Sequence, residues 1–371
     1  MRVSVKEIQK SPFKEGFVRL SAQVDYDDEH NSENIWFDFE EKYNGQLSQS
    51  GNPWIACLLP LAAYLGEDIY IDKPCDYQLV DNLNEVLAIW NSWNESFSKI
   101  SIKADINLVD EPKKNRRAAF FSGGVDSFYT ILKLEDQSKK GEAPPLTDLM
   151  YVWGFDIPLS NESDFNALYQ RLQKSAEMFN KNLIPVITNL RETRFSQTSW
   201  GKHSHGAALT AVVHTLENYL DAAYLASSHS YYNLVAPWGS HPLVDNLFSS
   251  ATTITHLHGL SINRADKAEL VASSETALEG LHVCWQDGSN TNCGRCNKCY
   301  RTMINLFILG VLKDCPTFSD DKLQMEDIAR LYSADTSETI LIKELAVFAK
   351  EKDKLEIAEA VLASVHRSRQ V

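Results

Sequence analysis

Two groups of residues in this sequence have the types and spacing that chemistry requires, and the first is a serine- and glycine-rich turn. It follows a short apolar run, and its residues are Ser122, Gly123, Gly124, Val125, Asp126 and Ser127. Glycines let the backbone approach an anion closely, and the start of a following helix presents unpaired N–H groups and a positive dipole end. The turn is therefore predicted to bind nucleotide phosphates. It matches neither a Walker A loop nor a Gly-x-Gly-x-x-Gly turn.

A purely structural interpretation of the same turn also exists. A Gly-Gly pair before a helix is often only a tight strand-to-helix connection, with Ser or Asp as the helix cap. The nucleotide interpretation is favoured here because two serines and an acidic residue accompany the glycines after an apolar strand.

The second group is a cluster of four of the seven cysteines. Cys284, Cys293, Cys296 and Cys299 follow a C-x8-C-x2-C-x2-C pattern. Four thiolates satisfy the tetrahedral preference of zinc, and short C-x2-C steps form the tight knuckle of such a site. An iron–sulfur cluster is the alternative. A zinc ion with four thiolate ligands has no open position, so its role is expected to be structural. The other three cysteines are expected to be core residues.

Charge argues against direct binding of nucleic acid. The 371 residues carry 36 Lys+Arg and 50 Asp+Glu, a formal net charge of −14. Residues 1–115 alone contain 20 acidic and 11 basic side chains. Proteins that grip a phosphate backbone usually show a basic stripe, and none is visible.

No segment of the sequence resembles a membrane anchor. The longest apolar stretch, residues 54–65, is shorter than the roughly 18–20 residues of a membrane span and contains a proline. Residues 1–20 lack the apolar centre of a signal peptide. We therefore expect a cytoplasmic protein that does not enter a membrane.

The centre of the chain, residues 116–318, alternates short apolar runs with amphipathic segments. Predicted strands lie at 117–121, 149–153, 183–188, 222–227 and 255–260. Predicted helices lie at 127–136, 164–180, 205–219 and 265–272. Such alternation predicts an α/β fold with a doubly wound parallel sheet, covered on both faces. Ligands would bind at the carboxyl ends of its strands.

The flanking segments have different patterns. Residues 1–115 show period-two strands near 3–5, 18–24, 35–39, 68–72 and 100–109, with helices after Pro53 and over 76–93. They are predicted to form an α+β accessory domain without a catalytic motif. Residues 319–371 are predicted to be a helical extension that packs on the core.

The phosphate-binding turn resembles the PP-loop of the ATP pyrophosphatases, which cleave ATP between the α and β phosphates. Together with the cysteine spacing it is similar to the 7-cyano-7-deazaguanine synthase (QueC) family, over about residues 117–306. The stretch 265–269 is similar to the family's Asp-Lys-Ala-Glu sequence. The resemblance implies ATP and magnesium as cofactors, with Asp126 near magnesium and with Asp266 and Lys267 near the phosphates. It also implies a zinc knuckle.

The sequence departs from that family around the predicted substrate pocket. Residues 154–158, 200–203 and 229–250 differ from the family's usual segments. Lys202 occupies the place of a family arginine, so the resemblance implies that it acts with Lys267 around the phosphates. In organisation the chain is most similar to the QatC-type proteins of bacterial anti-phage operons. The resemblance implies adenylation of a small 7-deazaguanine-type carboxylate and capture by a nitrogen nucleophile. Because residues 1–115 are acidic and contain no chemical motif, we expect them to dock a partner protein or to position a macromolecular acceptor. Alternatively, the accessory domain covers an apolar face of the core and has no partner.

Two histidines near Lys202 also lie at the predicted ligand edge. His203 and His205 precede a helix and are candidates for phosphate contact or proton transfer, and a polar helix cap is an equally good interpretation of each.

Other functions remain open at this stage. A PP-loop tRNA thiolase needs a basic RNA face and a reactive cysteine, and an amidotransferase-type NAD or GMP synthetase does not explain the cysteines. A housekeeping 7-cyano-7-deazaguanine synthase and a nucleotide sensor without turnover are the remaining alternatives. Release of AMP would separate an enzyme from the sensor.

Overall fold

The computed structural model describes residues 1–108, 113–284, 286, 290–318 and 323–368 of the chain. Its strands are β1 (Arg2–Val5), β2 (Gln9–Lys10), β3 (Phe17–Asp25), β4 (Glu33–Glu40), β5 (Ile69–Ile71), β6 (Cys75–Asp76), β7 (Ile102–Lys103), β8 (Ile106–Asn107), β9 (Arg117–Phe120), β10 (Asp148–Trp153), β11 (Asn182–Thr188), β12 (Ala222–Ala226) and β13 (Ile254–His258). Its α-helices are α1 (Asn52–Leu65), α2 (Tyr77–Trp93), α3 (Val125–Lys139), α4 (Glu162–Met178), α5 (His205–Thr215), α6 (Arg264–Ala272), α7 (Glu275–Gly280), α8 (Asn297–Ile308), α9 (Met325–Ile328), α10 (Thr336–Glu351) and α11 (Leu355–Ser368).

The five predicted strands of the central segment form the parallel half of a large sheet. They pair in the order β13-β12-β9-β10-β11, and every neighbouring pair is parallel. Their bounds differ from the predicted ones by at most two residues. The order places β9 between β10 and β12, so the chain turns to opposite sides of β9 as it builds the two edges. Such a reversal opens a crevice at the carboxyl ends of the strands.

Side chains on the two faces of this sheet enter two separate hydrophobic cores. In β10, Met150 and Val152 belong to a core that includes α1, α2 and α5. Leu149 and Tyr151 point the other way, into a core built with α3, α4, α6 and α8. The near-continuous apolar sequence of β10 follows from this burial on both faces. The predicted α/β architecture is confirmed at this level.

The N-terminal segment extends the same sheet. β4 pairs antiparallel with β11, where Phe37 lies opposite Thr188 and Phe39 lies opposite Val186. β3, β1, β5 and β7 continue the sheet beyond β4, and β2 adds to β3. The described residues thus contain an eleven-stranded mixed sheet, with β6 and β8 as a separate parallel pair. The sequence predicts a separate domain for residues 1–115, but the sheet and one core run across that boundary.

The C-terminal residues form helices that pack on the core, as the sequence predicts for the part that is described. Glu338 of α10 accepts a hydrogen bond from Arg301 Nη1 of α8 at 2.8 Å. Glu344, also in α10, accepts one from the backbone N–H of Arg264 at 3.2 Å. α10 therefore supports both α6 and α8, which border the cleft described below.

Two smaller differences concern element lengths. The predicted strand 100–109 is interrupted and becomes β7 and β8, and its last residue lies outside the described residues. The helix predicted over 205–219 ends at Thr215. Within the part of the chain that is described, no helix has the length and apolar character needed to cross a bilayer.

Candidate functional site

A cleft of about 250 Å³ opens at the carboxyl ends of β9, β10 and β12. It lies where the strand order reverses, the position at which open α/β sheets bind ligands. Ser122, Gly124, Asp126 and Ser127 of the predicted phosphate-binding turn line it. The sequence-based prediction of where a ligand would bind is consistent with this placement.

The turn has the backbone conformation that its glycines allow. Gly123 has a φ of +79°, in the left-handed region that favours glycine. A Cβ at this position would lie 2.9 Å from Leu172 Cδ2 and 3.2 Å from the Gly280 carbonyl oxygen. The Gly123 carbonyl accepts a hydrogen bond from His282 N at 2.7 Å, which ties the turn to the chain before the cysteine cluster.

Helix α3 begins directly after the two glycines. Gly124 is its N-cap residue and has no side chain to satisfy the first N–H groups of the helix. These groups have no carbonyl one turn earlier, so they stay available to an anion. The Ser127 hydroxyl donates to the Gly124 carbonyl at 2.9 Å and so stabilises the turn. The turn is preorganised, and its N–H groups are its main donors.

Asp126 is the acidic residue of the turn, and two basic side chains approach it. Lys267 Nζ lies 3.3 Å from Asp126 Oδ1, and Arg264 Nε lies 3.6 Å from Asp126 Oδ2. Burial disfavours the charged carboxylate, but Arg264 and Lys267 outweigh it and hold the pKa of Asp126 below its ordinary value. Asp126 is therefore ionised at neutral pH.

Lys267 is almost completely buried, with 1% of its side chain exposed. Its Nζ donates to the Ser227 carbonyl at 2.5 Å as well as to Asp126. Burial lowers the pKa of Lys267, and the charge of Asp126 opposes that shift. A buried charge needs such partners because desolvation is costly. The pair fixes a positive group just behind the phosphate-binding turn.

A further cation reaches the cleft from the cysteine cluster. Lys298, in the first turn of α8, lines the cleft and has no ion-pair partner among the residues described. Asp156, which follows β10, also lines the cleft and is exposed. Among the charged residues that line the cleft, Arg264 and Lys298 balance Asp126 and Asp156, and Lys267 adds a positive charge beside Asp126.

Two predicted site residues lie elsewhere. Lys202 is exposed and is not among the residues that line the cleft. Asp266 accepts a hydrogen bond from Asn263 Nδ2 at 2.5 Å, and Asn263 in turn caps its backbone N–H at 2.9 Å. Asp266 borders a separate surface depression with Tyr231. Lys267 does not line the cleft either, but its Nζ contacts Asp126, which does.

The four cysteines come together as their spacing predicts. All four Sγ atoms lie within 4.8 Å of one another, with 4.0 Å between Cys284 and Cys296 and 3.8 Å between Cys293 and Cys299. Sulfurs bound at about 2.3 Å to a tetrahedral ion would lie about 3.8 Å apart. The cluster can therefore hold a metal ion such as zinc.

Local hydrogen bonds shape the cysteine cluster. The backbone N–H of Cys296 donates to Cys293 Sγ at 3.3 Å, as in a metal-binding knuckle. Cys296 is also the N-cap of α8, so the cluster lies at the positive end of that helix. Asn292 Oδ1 accepts from the backbone N–H groups of Val283 at 2.8 Å and Cys284 at 3.2 Å. These bonds hold the backbone around the cluster in place, and the positive end of α8 favours negative charge there.

The cysteine cluster and the cleft share one wall. The residues that line the cleft include Cys284, which belongs to the cluster, and Lys298, which stands between two of its cysteines. His282 lines the cleft as well. His282 also binds the Gly123 carbonyl through its backbone N–H. A metal bound by the cysteines would therefore fix part of the cleft.

Aromatic side chains form another wall of the cleft. Phe155, Trp200, His205 and Trp238 line the cleft. The rings of Phe155 and Trp200 meet edge to face with centroids 4.9 Å apart, and the guanidinium of Arg191 lies 4.6 Å from the Trp200 ring centroid. Flat, rigid walls of this kind suit a planar ligand.

Sequence reasoning missed Arg264 and Lys298. Arg264 stands directly before the stretch 265–269, and Lys298 stands between two of the clustered cysteines. Their position next to predicted site motifs was a usable signal. Their direction toward the cleft depends on how α6 and α8 pack, which spacing alone does not specify.

Comparison of the chain with protein-family models, with curated proteins and with solved structures finds no match.

Proposed function

We propose that this protein is a PP-loop ATP pyrophosphatase that adenylates a 7-deazaguanine-type carboxylate, releases pyrophosphate, and passes the acyl group to a nitrogen nucleophile. The observation that carries the proposal is the glycine turn at the start of α3, which faces a cleft containing Arg264 and Lys298. Backbone N–H groups with nearby fixed cations are the arrangement that phosphoryl and adenylyl transfer requires.

The parts of the cleft divide naturally between the parts of the reaction. The turn and the N-terminus of α3 would hold the phosphates, while Lys267 behind the turn supports Asp126. Lys298 and Arg264 would neutralise charge that develops on the departing pyrophosphate. Catalysis would rest on positioning and charge neutralisation, because no covalent nucleophile is needed once the carboxylate oxygen attacks the α phosphorus.

Magnesium is part of this proposal, and the donor set is compatible with it. Mg²⁺ usually binds one or two carboxylates together with waters and substrate phosphates. Asp126 supplies an ionised carboxylate to the cleft, and Asp156, which is exposed and also lines the cleft, supplies a second one. Bound magnesium would neutralise part of the charge on the triphosphate.

The aromatic wall supports a planar acceptor. Trp200, Trp238 and Phe155 offer flat apolar surface, and Ser240 and Asp156 add polar groups near it. A fused heterocycle such as 7-carboxy-7-deazaguanine has both the flat shape and the hydrogen-bonding edge for such a wall. Its carboxylate is the group that would receive the adenylyl moiety.

Zinc is the metal we propose for the cysteine cluster. Four thiolates leave no open position, so the ion would stabilise the fold. Since Cys284 and Lys298 line the cleft, the ion would also keep the cleft wall in place. A place in anti-phage defence, with a protein partner docking on the N-terminal strands, belongs to the same proposal.

Exchange of labelled pyrophosphate into ATP tests the proposal. Wild-type protein with Mg²⁺, ATP and 7-carboxy-7-deazaguanine is expected to catalyse exchange, because adenylation is reversible before the acyl group is transferred. Asp126→Asn is expected to reduce exchange at least about 100-fold, as loss of one preorganised electrostatic group does elsewhere. Asp136→Asn, farther along the same helix α3 and with 45% of its side chain exposed, is the matched control and should exchange normally.

Two outcomes would contradict the proposal. Binding of ATP without exchange for this acid would instead support a nucleotide sensor or a different acceptor. Release of ADP and phosphate would exclude cleavage between the α and β phosphates.

A further inference from the structure

His205 lies in the cleft with one ring nitrogen committed to the backbone. Its Nδ1 is 2.8 Å from the carbonyl oxygen of Trp200. A carbonyl oxygen only accepts hydrogen bonds, so the proton of this bond belongs to Nδ1. Nε2 of a neutral His205 therefore carries the lone pair. A backbone carbonyl that fixes the tautomer in this way is a common device for orienting a functional histidine.

Neighbouring residues fix the position of the ring. His205 is the first residue of α5, and Trp238 meets it edge to face at 5.8 Å between centroids. The next residue, Gly206, donates its backbone N–H to the Gly239 carbonyl at 2.7 Å, which fastens the loop of Trp238 to the start of α5. The imidazole thus lies within the aromatic wall.

The charges around His205 leave it neutral at pH 7. Burial lowers its pKa below the ordinary value for histidine. The Trp200 carbonyl and the carboxylate of Asp156 act in the opposite direction, and Lys298 acts in the same direction as burial. Asp245 is also buried close to this end of α5, next to Gly206, and Lys202 and His203 precede His205 in the chain.

The second step of the proposed reaction needs a proton acceptor. When an amine attacks the acyl adenylate, a C–N bond forms and the bond from the acyl carbon to AMP breaks, with the electron pair leaving on AMP. The nitrogen then carries one proton too many. A neutral imidazole within reach of the attacking nitrogen can take that proton and later release it to water.

We infer that His205 is the general base of nitrogen capture, accepting through Nε2 the proton that the attacking amine loses. This inference rests on the proposed function, because it assigns a residue to the second step of that reaction. It is separate from the phosphate-binding turn, which serves the first step.

Nitrogen NMR of the full-length protein tests the tautomer without any substrate. With histidines labelled by nitrogen-15, the His205 signals are assigned as those missing from His205→Gln. We expect them to show a proton on Nδ1 and an unprotonated Nε2 at pH 7. A proton on Nε2, or a charged ring at pH 7, would overturn the inference whatever the enzyme assays show.

Kinetics then test the role. Pyrophosphate exchange reports the first step, and product formation from 7-carboxy-7-deazaguanine, ATP and ammonium chloride reports the second. In His205→Gln we expect the ratio of the second rate to the first to fall about 100-fold or more. His203→Gln is the matched control, because burial lowers the pKa of His203 as it does that of His205. His203 does not line the cleft, and its Nε2 lies 2.9 Å from Asn94 Nδ2. Its ratio should be unchanged.

Added imidazole separates a chemical role from a structural one. In His205→Ala, imidazole is expected to restore part of the second rate, and its effect should decline as imidazole becomes protonated at lower pH. Equal losses in both steps, or no restoration, would mean that His205 only shapes the cleft. Absence of pyrophosphate exchange in the wild type would contradict the proposed function and, with it, this role of His205. Normal exchange together with an unchanged ratio of second-step to first-step rate in His205→Gln would contradict the inference alone.

Discussion

Lys267 Nζ lies 3.3 Å from Asp126 Oδ1, although the two residues are 141 positions apart in the sequence. Both side chains are largely buried, with 1% and 13% exposed. Asp126 therefore has a structural role beside its proposed role at the phosphates. From the sequence alone, a change at Asp126 is expected to leave the fold intact, and this ion pair changes that expectation.

Asp126→Asn is expected to lower both stability and turnover. Breaking a buried ion pair leaves an uncompensated charge and typically costs about 3–5 kcal/mol. The double variant Asp126→Asn with Lys267→Met removes both charges and should recover much of the stability but none of the turnover. Urea unfolding followed by circular dichroism measures the first quantity. Equal stability of the wild type and Asp126→Asn would show that the pair contributes nothing.

Gly123→Ala is expected to abolish nucleotide binding. An alanine at this position would have to keep a backbone φ of +79°. Its Cβ would also press on Leu172 and on the Gly280 carbonyl, and both effects distort the turn. Gly141→Ala is the matched control, because Gly141 has a φ of +72° and open space around it. Both variants should lose about 1–2 kcal/mol from the left-handed backbone. Calorimetric titration with ATP should show a loss of binding in Gly123→Ala only, and equal binding in both would argue against the turn as the phosphate site.

Purified protein is expected to contain one zinc ion per chain, and Cys293→Ser is expected to lose it. An incomplete set of ligands binds the ion weakly, and the binding energy of a structural metal is folding energy. Cys315→Ser is the control, because Cys315 is buried but contacts Leu278 and Thr317 rather than the cluster. Elemental analysis and thermal unfolding measure the two effects. Iron with sulfide, or an unchanged metal content in Cys293→Ser, would contradict the assignment.

Deletion of residues 1–113 is expected to give an insoluble protein. The deletion removes β4, so β11 loses the backbone partners that Phe37 and Phe39 provide, and one of the two cores loses α1. An uncovered strand edge beside exposed apolar surface favours aggregation. Phe37→Asp, a charge at a fully buried position, should reproduce the loss, while Tyr70→Asp on the exposed side of β5 should not. A soluble, folded truncated protein would instead support an independent accessory domain.

Stability is expected to depend on pH through Asp245. Burial raises the pKa of this carboxyl to about 7, against hydrogen bonds from Ser240 and from the backbone N–H of His241. The folded protein thus holds a proton that the unfolded chain releases near pH 4, so this contribution to stability declines as the pH rises from about 4 to about 7. Asp245→Asn should therefore gain stability relative to the wild type across that window, by at most about 1.4 kcal/mol per pH unit.

His229 and His258 act in the opposite direction within the same window. Burial lowers the pKa of each to about 4, so their contribution is present above about pH 6.5 and declines as the pH falls. Only the difference between the wild type and Asp245→Asn isolates the carboxyl. Unfolding curves that stay parallel between pH 4.5 and 7.5 would show that Asp245 does not titrate there.

The sequence predicted local features of this fold better than distant ones. Strands β9 to β13 could be predicted from apolar runs bounded by turns. The cysteine cluster could be predicted because its short C-x2-C steps are typical of a tight metal-binding knuckle. The pairing of Phe39 with Val186 joins segments far apart in the chain, and no local pattern encodes such a contact. For Asp266 a motif predicts phosphate contact, whereas its carboxylate accepts a hydrogen bond from Asn263, the N-cap of α6, and does not line the cleft.

Transfer of oxygen-18 tests the central claim most directly. 7-Carboxy-7-deazaguanine labelled with oxygen-18 in its carboxylate is incubated with ATP, Mg²⁺, ammonium chloride and the wild-type protein, and the nucleotide product is analysed by mass spectrometry. If the carboxylate attacks the α phosphorus, one labelled oxygen must leave with the phosphate of AMP, and pyrophosphate must carry none. AMP without label would mean that water and not the carboxylate attacks, and ADP as the product would exclude adenylation altogether.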